Sequence, residues 1–378
     1  MLTRSWNSGD MVTVQLPMRV IMAPANDNPN IAAITYGPVV LSGNYGNTTL
    51  SAPPTLDVAS ITRTSGSALT FTATANGSTV NLGPFHDAHG HNYTVYWTVG
   101  GGSASFRLVN AASALVLGIQ NMSTTDGGLA LQWEDNGTAD HDWEILVDGD
   151  AIRLRNVHSG KVLGVENMST ADGARVLQWS NTGTADHRWT IVDVGDGTHK
   201  LRNVHTGKLL GIAGNSTASG AQAVQDPDNG TLDNQWRFMP NGARRLQNLA
   251  SGMVLGVENM STADGGLAIQ WGDTGTADHL WTALTDTGGY LRLRNSNSGK
   301  VLGVENMSTA SGARVLQWSD NGTNDHRWRL RYGANGYFRI QCAHGGKVLG
   351  VSGGSTAQGA QIVTADDSGA NHVRWRFV

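Results

Sequence analysis

Apolar and polar positions alternate along this chain in short bursts, and no stretch settles into a helical period. Runs such as Ile152-Arg153-Leu154-Arg155-Asn156 and Leu291-Arg292-Leu293-Arg294-Asn295 carry the period of two that marks a half-buried strand. A Leu-Gly-[Val/Ile] step recurs with its glycine at Gly118, Gly164, Gly211, Gly256, Gly303 and Gly350, at spacings of 46, 47, 45, 47 and 47 residues. From about residue 105 to the end, the chain is six copies of one unit.

Each unit predicts four short strands. In the second copy they fall at 152–156, 162–165, 175–179 and 189–192. Ser159-Gly160-Lys161 turns the first into the second, and the polar segment 167–173 leads to the third. The fold class is therefore all-β. The period by itself leaves a bladed propeller open, because a blade also takes four strands in about 40–45 residues.

The residues before the repeats alternate at 11–20, 69–74 and 93–97, between turns rich in Gly, Pro and Asn. This pattern predicts a β-sandwich or part of one. Gly100-Gly101-Gly102-Ser103 reads as a flexible linker. The expected organisation is a β-sandwich segment over 1–99, a Gly/Ser linker over 100–104, and two three-unit domains over 105–243 and 244–378.

Composition narrows the function. Glycine makes up 49 of 378 residues and charged residues only 15%, a profile of loop-rich β structure. Lys plus Arg is 26 against 30 for Asp plus Glu, scattered along the chain, so no basic footprint predicts a nucleic-acid or anionic-membrane partner. No run approaches the roughly 18 apolar residues of a membrane span. The first ten residues carry no apolar signal-peptide core. Cys342 is the single cysteine, which excludes an internal disulfide framework and a multi-cysteine metal site.

The order of a small apolar step, Gln-Trp, a polar turn and His-x-Trp resembles the ricin-type lectins of carbohydrate-binding module family 13. In that family three units fold into one β-trefoil and usually close on Gln-x-Trp. Here the closing motifs are His141-Asp142-Trp143, His187-Arg188-Trp189, Asn234-Gln235-Trp236, His279-Leu280-Trp281, His326-Arg327-Trp328 and Val373-Arg374-Trp375. The tryptophan is kept in all six and the glutamine is replaced each time. The resemblance implies two tandem β-trefoils.

The first hundred residues resemble the β-sandwich behind the catalytic barrel of glycoside hydrolase family 127, the β-L-arabinofuranosidase type. The resemblance rests on Trp6-Asn7-Ser8-Gly9-Asp10-Met11-Val12 with Leu16-Pro17-Met18, on Tyr36-Gly37-Pro38-Val39-Val40-Leu41, and on Pro84-Phe85 followed by Tyr93-Thr94-Val95-Tyr96-Trp97. That family works through a helical barrel with a catalytic cysteine in a zinc-thiolate cluster and an acid/base glutamate. Cys342 lies inside a lectin-like repeat instead, so the expectation is the non-catalytic C-terminal portion of such an enzyme.

A shallow sugar site needs an aromatic platform for the C–H face of the ring and fixed polar groups for its hydroxyls. The lectin resemblance assigns these roles to a carboxylate after the second strand, an aromatic about fifteen residues on and a polar residue before the closing motif. The second unit offers Glu166, Trp179 and Asp186, the fourth Glu258, Trp271 and Asp278, and the fifth Glu305, Trp318 and Asp325. The first offers Gln120, Trp133 and Asp140. The third has Ala213, Asp226 and Asp233, and the sixth has Ser352, Ala365 and Asn371; both lack the aromatic and are expected to be silent.

Competing structural readings apply throughout. The closing tryptophans are expected in the core, and His141, His187, His279 and His326 are expected to replace the glutamine that ties a turn to the backbone. Trp133, Trp179, Trp271 and Trp318 could be packing residues, and the glutamates could be solvated turn residues. The tract 86–91 looks like a metal site but lacks a fourth ligand at fixed distance. Asn-Met-Ser at 121, 167, 259 and 306 is formally a glycosylation sequon, yet its place in each intact repeat favours a turn.

These readings predict a monomeric, multivalent carbohydrate-binding protein without catalysis or cofactor. Its expected partner is a plant cell-wall polysaccharide bearing arabinose, galactose or xylose, with no nucleic acid and no membrane insertion. Its expected location is extracellular. A residual glycosidase and a protein-binding scaffold are the alternatives.

Overall fold

Within every repeat the outer two strands and the inner two have separate tasks. The computed structural model describes residues 18, 20–24, 31–50, 52–54, 56–64, 66, 68–76, 78–98 and 104–378. The chain divides into two units, Met1–Gly102 and Ser103–Val378. In the larger unit, the outer strands of the first three repeats are Ser105–Asn110, Trp143–Asp148, Ala151–Asn156, Trp189–Asp193, His199–Asn203 and Trp236–Pro240. Each pairs antiparallel with the next, and the last pairs back onto the first. The closed six-stranded circuit leaves no free edge.

The last three repeats close a second circuit through Leu246–Asn248, Trp375–Phe377, Tyr337–Cys342, Trp328–Ala334, Leu291–Asn295 and Trp281–Thr285. It returns through Ala243–Arg244, so the first strand of this half is split around Arg245. The inner strands form hairpins such as Val116–Ile119 with Ala130–Trp133 and Val162–Val165 with Ala174–Trp179. Two closed circuits, each bearing three hairpins, are two tandem β-trefoils.

Two recurring interactions hold each trefoil. The six closing tryptophans are fully buried. Each donates its indole N–H to the carbonyl of the leucine in its own Leu-Gly step, as Trp143 does to Leu117 at 2.9 Å and Trp189 to Leu163 at 3.1 Å. A buried indole with its donor satisfied supplies large apolar area without a desolvation penalty.

The residue before the platform position, a glutamine in five of the six repeats, reaches into a neighbouring repeat. Gln132 Nε2 donates to Ser216 and Ala218 of the third repeat, Gln178 to Ser123 and Thr125 of the first, and Gln225 to Ser169 and Ala171 of the second. Gln270 and Gln317 repeat this toward the sixth and fourth repeats, and Thr364 serves the same end toward the fifth. The clamps thus run in two closed cycles of three.

The two trefoils share one apolar core. Phe106 meets Phe238, Phe338 and Phe377 with ring centroids 5.6–6.0 Å apart. Arg331 of the second trefoil pairs with Asp193 of the first at 2.6 Å. The tandem is joined by packing as well as by chain.

Among the described residues of the N-terminal unit, one eight-stranded antiparallel sheet runs in the order Val20–Pro24, Ile31–Tyr36, Val39–Asn44, Ser78–Pro84, Phe71–Ala75, Leu56–Arg63, with Tyr93–Thr94 and Tyr96–Thr98 added beside it. Ile34, Leu41, Leu56, Phe71, Leu82 and Trp97 form its buried cluster. Gly37-Pro38 is the hairpin turn expected from the Tyr-Gly-Pro-Val run. The strand expected at 11–20 lies outside the described residues apart from Met18 and Val20, as do the motif at 6–12 and the linker at 100–103.

Candidate functional site

The inner hairpin of the first repeat carries a hollow of about 340 Å³. Its floor is Gly118 opposite Leu131, its apolar wall is Trp133, and Gln120, Asn121 and Met122 close the far end. Asp140 and His141 rise beside the floor from the short 3-10 turn Ala139–His141. The floor residue has to be glycine. A β-carbon on Gly118 would stand 2.2 Å from His141 Cδ2, and the same holds at 2.3 Å for Gly164 and His187, 2.5 Å for Gly256 and His279, and 2.4 Å for Gly303 and His326.

The imidazoles therefore fill the floor from beneath. Their expected role of tying a turn to the backbone falls to Gln132, Gln178, Gln225, Gln270 and Gln317 instead. Each imidazole Nε2 lies 3.4–3.6 Å from the carboxylate of the preceding aspartate, Asp140, Asp186, Asp278 or Asp325. His141, His279 and His326 also have Nδ1 3.5–3.7 Å from a second carboxylate, on Asp135, Asp273 or Asp320. Burial disfavours the charged form of His187 and lowers its pKa, against the pull of Asp186. Burial also works against ionised Asp273, but hydrogen bonds from His279, the Gly275 N–H and Arg245 prevail and hold it far below the usual carboxylate range.

The tryptophans stand out from the surface: Trp133 is 45% exposed, Trp179 42% and Trp318 41%, with Trp271 half-buried. Each leans on a left-handed glycine of a neighbouring repeat. Trp133 meets Gly220, Trp179 meets Gly127, Trp271 meets Gly359 and Trp318 meets Gly265. At Gly220, with φ of 84°, a β-carbon would come within 2.8 Å of the Trp133 ring. Backbone conformation and close approach both require glycine there.

Asp140, Asp186, Asp278 and Asp325 are buried, and Oδ1 of each has no hydrogen-bond partner in the protein. The third repeat differs: Asp233 accepts from Thr231 Oγ1 and from the Ile212 N–H. In the sixth repeat, the 3-10 turn Asn371–Val373 puts His372 at the place of Asp140. The expected Asn371 is displaced by one residue from that place. The orphaned carboxylate oxygen thus occurs in the four repeats that keep the tryptophan and in neither of the two that lost it.

Glu166, Glu258, Glu305 and Gln120 follow the first inner strand, while the tryptophan sits at the other end of the hairpin. Val162 pairs with Trp179 and Val165 with Val176, so Glu166 and Trp179 are offset by about 13 Å along the strands at roughly 3.3 Å per residue. A ligand reaching both spans the whole hollow. Arg175 Nε donates to Glu166 at 2.8 Å and Arg314 Nε to Glu305 at 2.8 Å, each guanidinium also bonding the second carboxylate oxygen. These bonds keep both carboxyls below their usual pKa.

Gln120 and Glu258 face Leu129 and Leu267 instead and remain exposed. The platforms divide the same way. Asp126 anchors Ser180 and Lys161 beside Trp179, and Asp264 anchors Ser319 and Lys300 beside Trp318. The sites of the second and fifth repeats are thus one kind, and those of the first and fourth another.

Sequence reasoning reads Asn-Met-Ser as a turn and assigns its methionine no part in the site. Met122 lines the first hollow beside Trp133 and Asp140. The signal was present in the chain: methionine follows asparagine in the four tryptophan-bearing repeats, whereas the other two have Gly214-Asn215 and Gly353-Gly354. The histidines of the 86–91 tract lie at or beyond the short turn Phe85–Asp87, with His86 and His89 exposed.

A family model described as ricin-type beta-trefoil lectin domain-like matches residues 94–179, 143–226, 232–318 and 324–378, well over half of the chain. Among solved structures, the designed 3-fold symmetric protein ThreeFoil is 38% identical over 36% of this chain and 97% of its own, with a TM-score of 0.35. The Rhizoctonia solani agglutinin is 20% identical over 37% of this chain and 96% of its own, with a TM-score of 0.34. The Macrolepiota procera ricin B-like lectin, solved in complex with lactose, is 22% identical over 36% of this chain and 94% of its own, with a TM-score of 0.32. A comparison with curated proteins finds no match. With its repeats matched in both halves, the chain belongs to the ricin-type β-trefoil lectin family, whose domains are non-catalytic carbohydrate binders.

Proposed function

We propose that this protein is a multivalent binder of arabinose-, galactose- or xylose-bearing plant cell-wall polysaccharide, acting outside the cell as a monomer. Four sites carry the binding: Trp133 with Asp140 and Gln120, Trp179 with Asp186 and Glu166, Trp271 with Asp278 and Glu258, and Trp318 with Asp325 and Glu305. The supporting observation is the coincidence, in these four repeats alone, of a platform tryptophan and a buried carboxylate oxygen without a protein partner. An unsatisfied buried acceptor is costly by about 1–3 kcal/mol, and a ligand hydroxyl would relieve that cost. The tryptophan would take the C–H face of the same sugar.

The plant polymer and the role as the targeting part of a glycoside hydrolase follow from the family 127 resemblance of the first hundred residues. Multivalency favours a repetitive polymer, because linked sites can raise avidity by about 10²–10⁴ when the ligand spans them. The test is a pull-down on insoluble arabinoxylan, arabinan and galactan, set against a folded variant with Trp133, Trp179, Trp271 and Trp318 all changed to Ala. Binding by the natural chain that disappears in the variant supports the proposal. Equal retention overturns the four tryptophan sites, and no binding to any polymer overturns the proposal in favour of a scaffold.

A further inference from the structure

Every repeat needs two consecutive residues of left-handed backbone just after its Leu-Gly-[Val/Ile] strand. The sixth repeat meets this with Gly353 and Gly354 at φ of 61° and 64°, and the third with Gly214 and Asn215 at 62° and 54°. Glycine adopts that region freely, and asparagine is the next most tolerant. The other four repeats place methionine second, with φ of 51° at Met122, 53° at Met168, 51° at Met260 and 51° at Met307. An unbranched L side chain is strained there and persists when something else requires it.

Core packing is not that requirement, because the four methionines are 42–52% exposed. The turn itself is not either, since two glycines build the same turn in the sixth repeat. The methionine goes with the tryptophan and the orphaned carboxylate, and at the first hollow it shares their cavity. At two sites the turn is pinned from the next repeat: His158 Nε2 lies 3.1 Å from the Met122 carbonyl oxygen, and Asn297 Nδ2 donates to that of Met260 at 3.0 Å. The thioether is thereby presented from a fixed backbone.

We infer that Met122, Met168, Met260 and Met307 are specificity-determining contacts that favour a glycan unit carrying a methyl group, such as a 6-deoxy sugar. This rests on the carbohydrate-binding reading above. A thioether accepts hydrogen bonds only weakly, so a sugar hydroxyl pressed against it loses its water without replacement. A methyl group loses nothing and gains contact with a polarisable, adaptable side chain.

The test compares the full chain with its Met122→Gly, Met168→Gly, Met260→Gly, Met307→Gly variant on surfaces of D-galactose and 6-deoxy-D-galactose, a pair differing by one hydroxyl. The natural chain is expected to prefer the 6-deoxy surface by about fourfold, as burial of one methyl-sized apolar group supports. The variant is expected to lose that preference while its Tm rises by a few degrees, because backbone strain has been removed. An unchanged preference, a natural chain without preference, or a variant with lowered Tm and no binding at all overturns the inference. The tryptophan-to-alanine variant run alongside separates the two claims, since its undiminished binding overturns the four-site reading on which this inference rests.

Discussion

The imidazole of His187 occupies the space that a side chain on Gly164 would need, with Cδ2 2.3 Å from the position of an added β-carbon. His187 is buried and backed by Asp186, so it has no room to withdraw. Gly164→Ala should therefore destabilise the protein by about 1–3 kcal/mol, the usual penalty of overpacking. Gly211→Ala in the third repeat should be milder, since its nearest neighbour is Asp233 Oδ2 at 3.1 Å. Chemical denaturation of both, and of Gly164→Ala combined with His187→Ala, checks this. A penalty that persists in the double variant would mean that backbone freedom, and not the ring, fixes the glycine.

The two tryptophans of the second repeat should part company under the same substitution. Trp189 is fully buried with its N–H on the Leu163 carbonyl, so Trp189→Ala should cost about 3–5 kcal/mol. Trp179 is 42% exposed, and Trp179→Ala should change stability by about 1 kcal/mol or less. Thermal melts read the first difference, and polysaccharide retention reads the loss of one site in the second.

That division was legible beforehand, because the repeat itself separates a tryptophan kept in all six units from one kept in four. The strand Val162–Val165 was equally plain from alternation and flanking turns. Other features depend on contacts that local pattern does not encode. Phe106 meets Phe338 from more than two hundred residues away, and the split of a strand at Arg245 answers to circuit closure. The displacement from Asn371 to His372, by contrast, is readable from the closing tryptophan, since His372 precedes Trp375 by the same three residues by which Asp140 precedes Trp143. The bidentate hold of Arg175 on Glu166 was readable in principle, since the two end opposite each other across a hairpin of known register.

Cys342 stands where the other five repeats have Asn110, Asn156, Asn203, Asn248 and Asn295. Those asparagines donate Nδ2–H to a backbone carbonyl in the 3-10 turn of a neighbouring repeat, as Asn156 does to Asp140 at 2.6 Å and Asn110 to Asp233 at 2.6 Å. The Cys342 thiol makes weak contacts instead, Sγ lying 3.7 Å from the Asp325 carbonyl oxygen and 3.9 Å from that of Asn324. Cys342→Asn should accordingly stabilise the chain by about 1 kcal/mol, the net worth of a buried hydrogen bond. Burial also pushes the Cys342 thiol up to about 12, so the native protein should resist a thiol reagent at neutral pH and react only on unfolding. Labelling at the rate of an exposed thiol would contradict the buried placement.

His199 makes the junction of the two trefoils sensitive to acid. It is fully buried, its Nε2 accepts the Tyr332 N–H at 3.1 Å, and its ring lies against Phe238 and Phe338. Burial lowers its pKa from 6.5 to about 4, with Asp193 and Asp196 opposing that shift and Arg331 reinforcing it. The unfolded chain therefore takes up this proton near pH 6.5 while the folded chain refuses it until about pH 4. Stability carried by the neutral ring is whole above pH 6.5 and declines as pH falls toward 4, by about 3 kcal/mol at 1.36 kcal/mol per unit. A His199→Gln variant binds no proton at this position, so its denaturation free energy should fall less over the same interval. Parallel pH profiles for the two proteins would show that the acid sensitivity lies elsewhere, with His187 the next group whose pKa burial lowers.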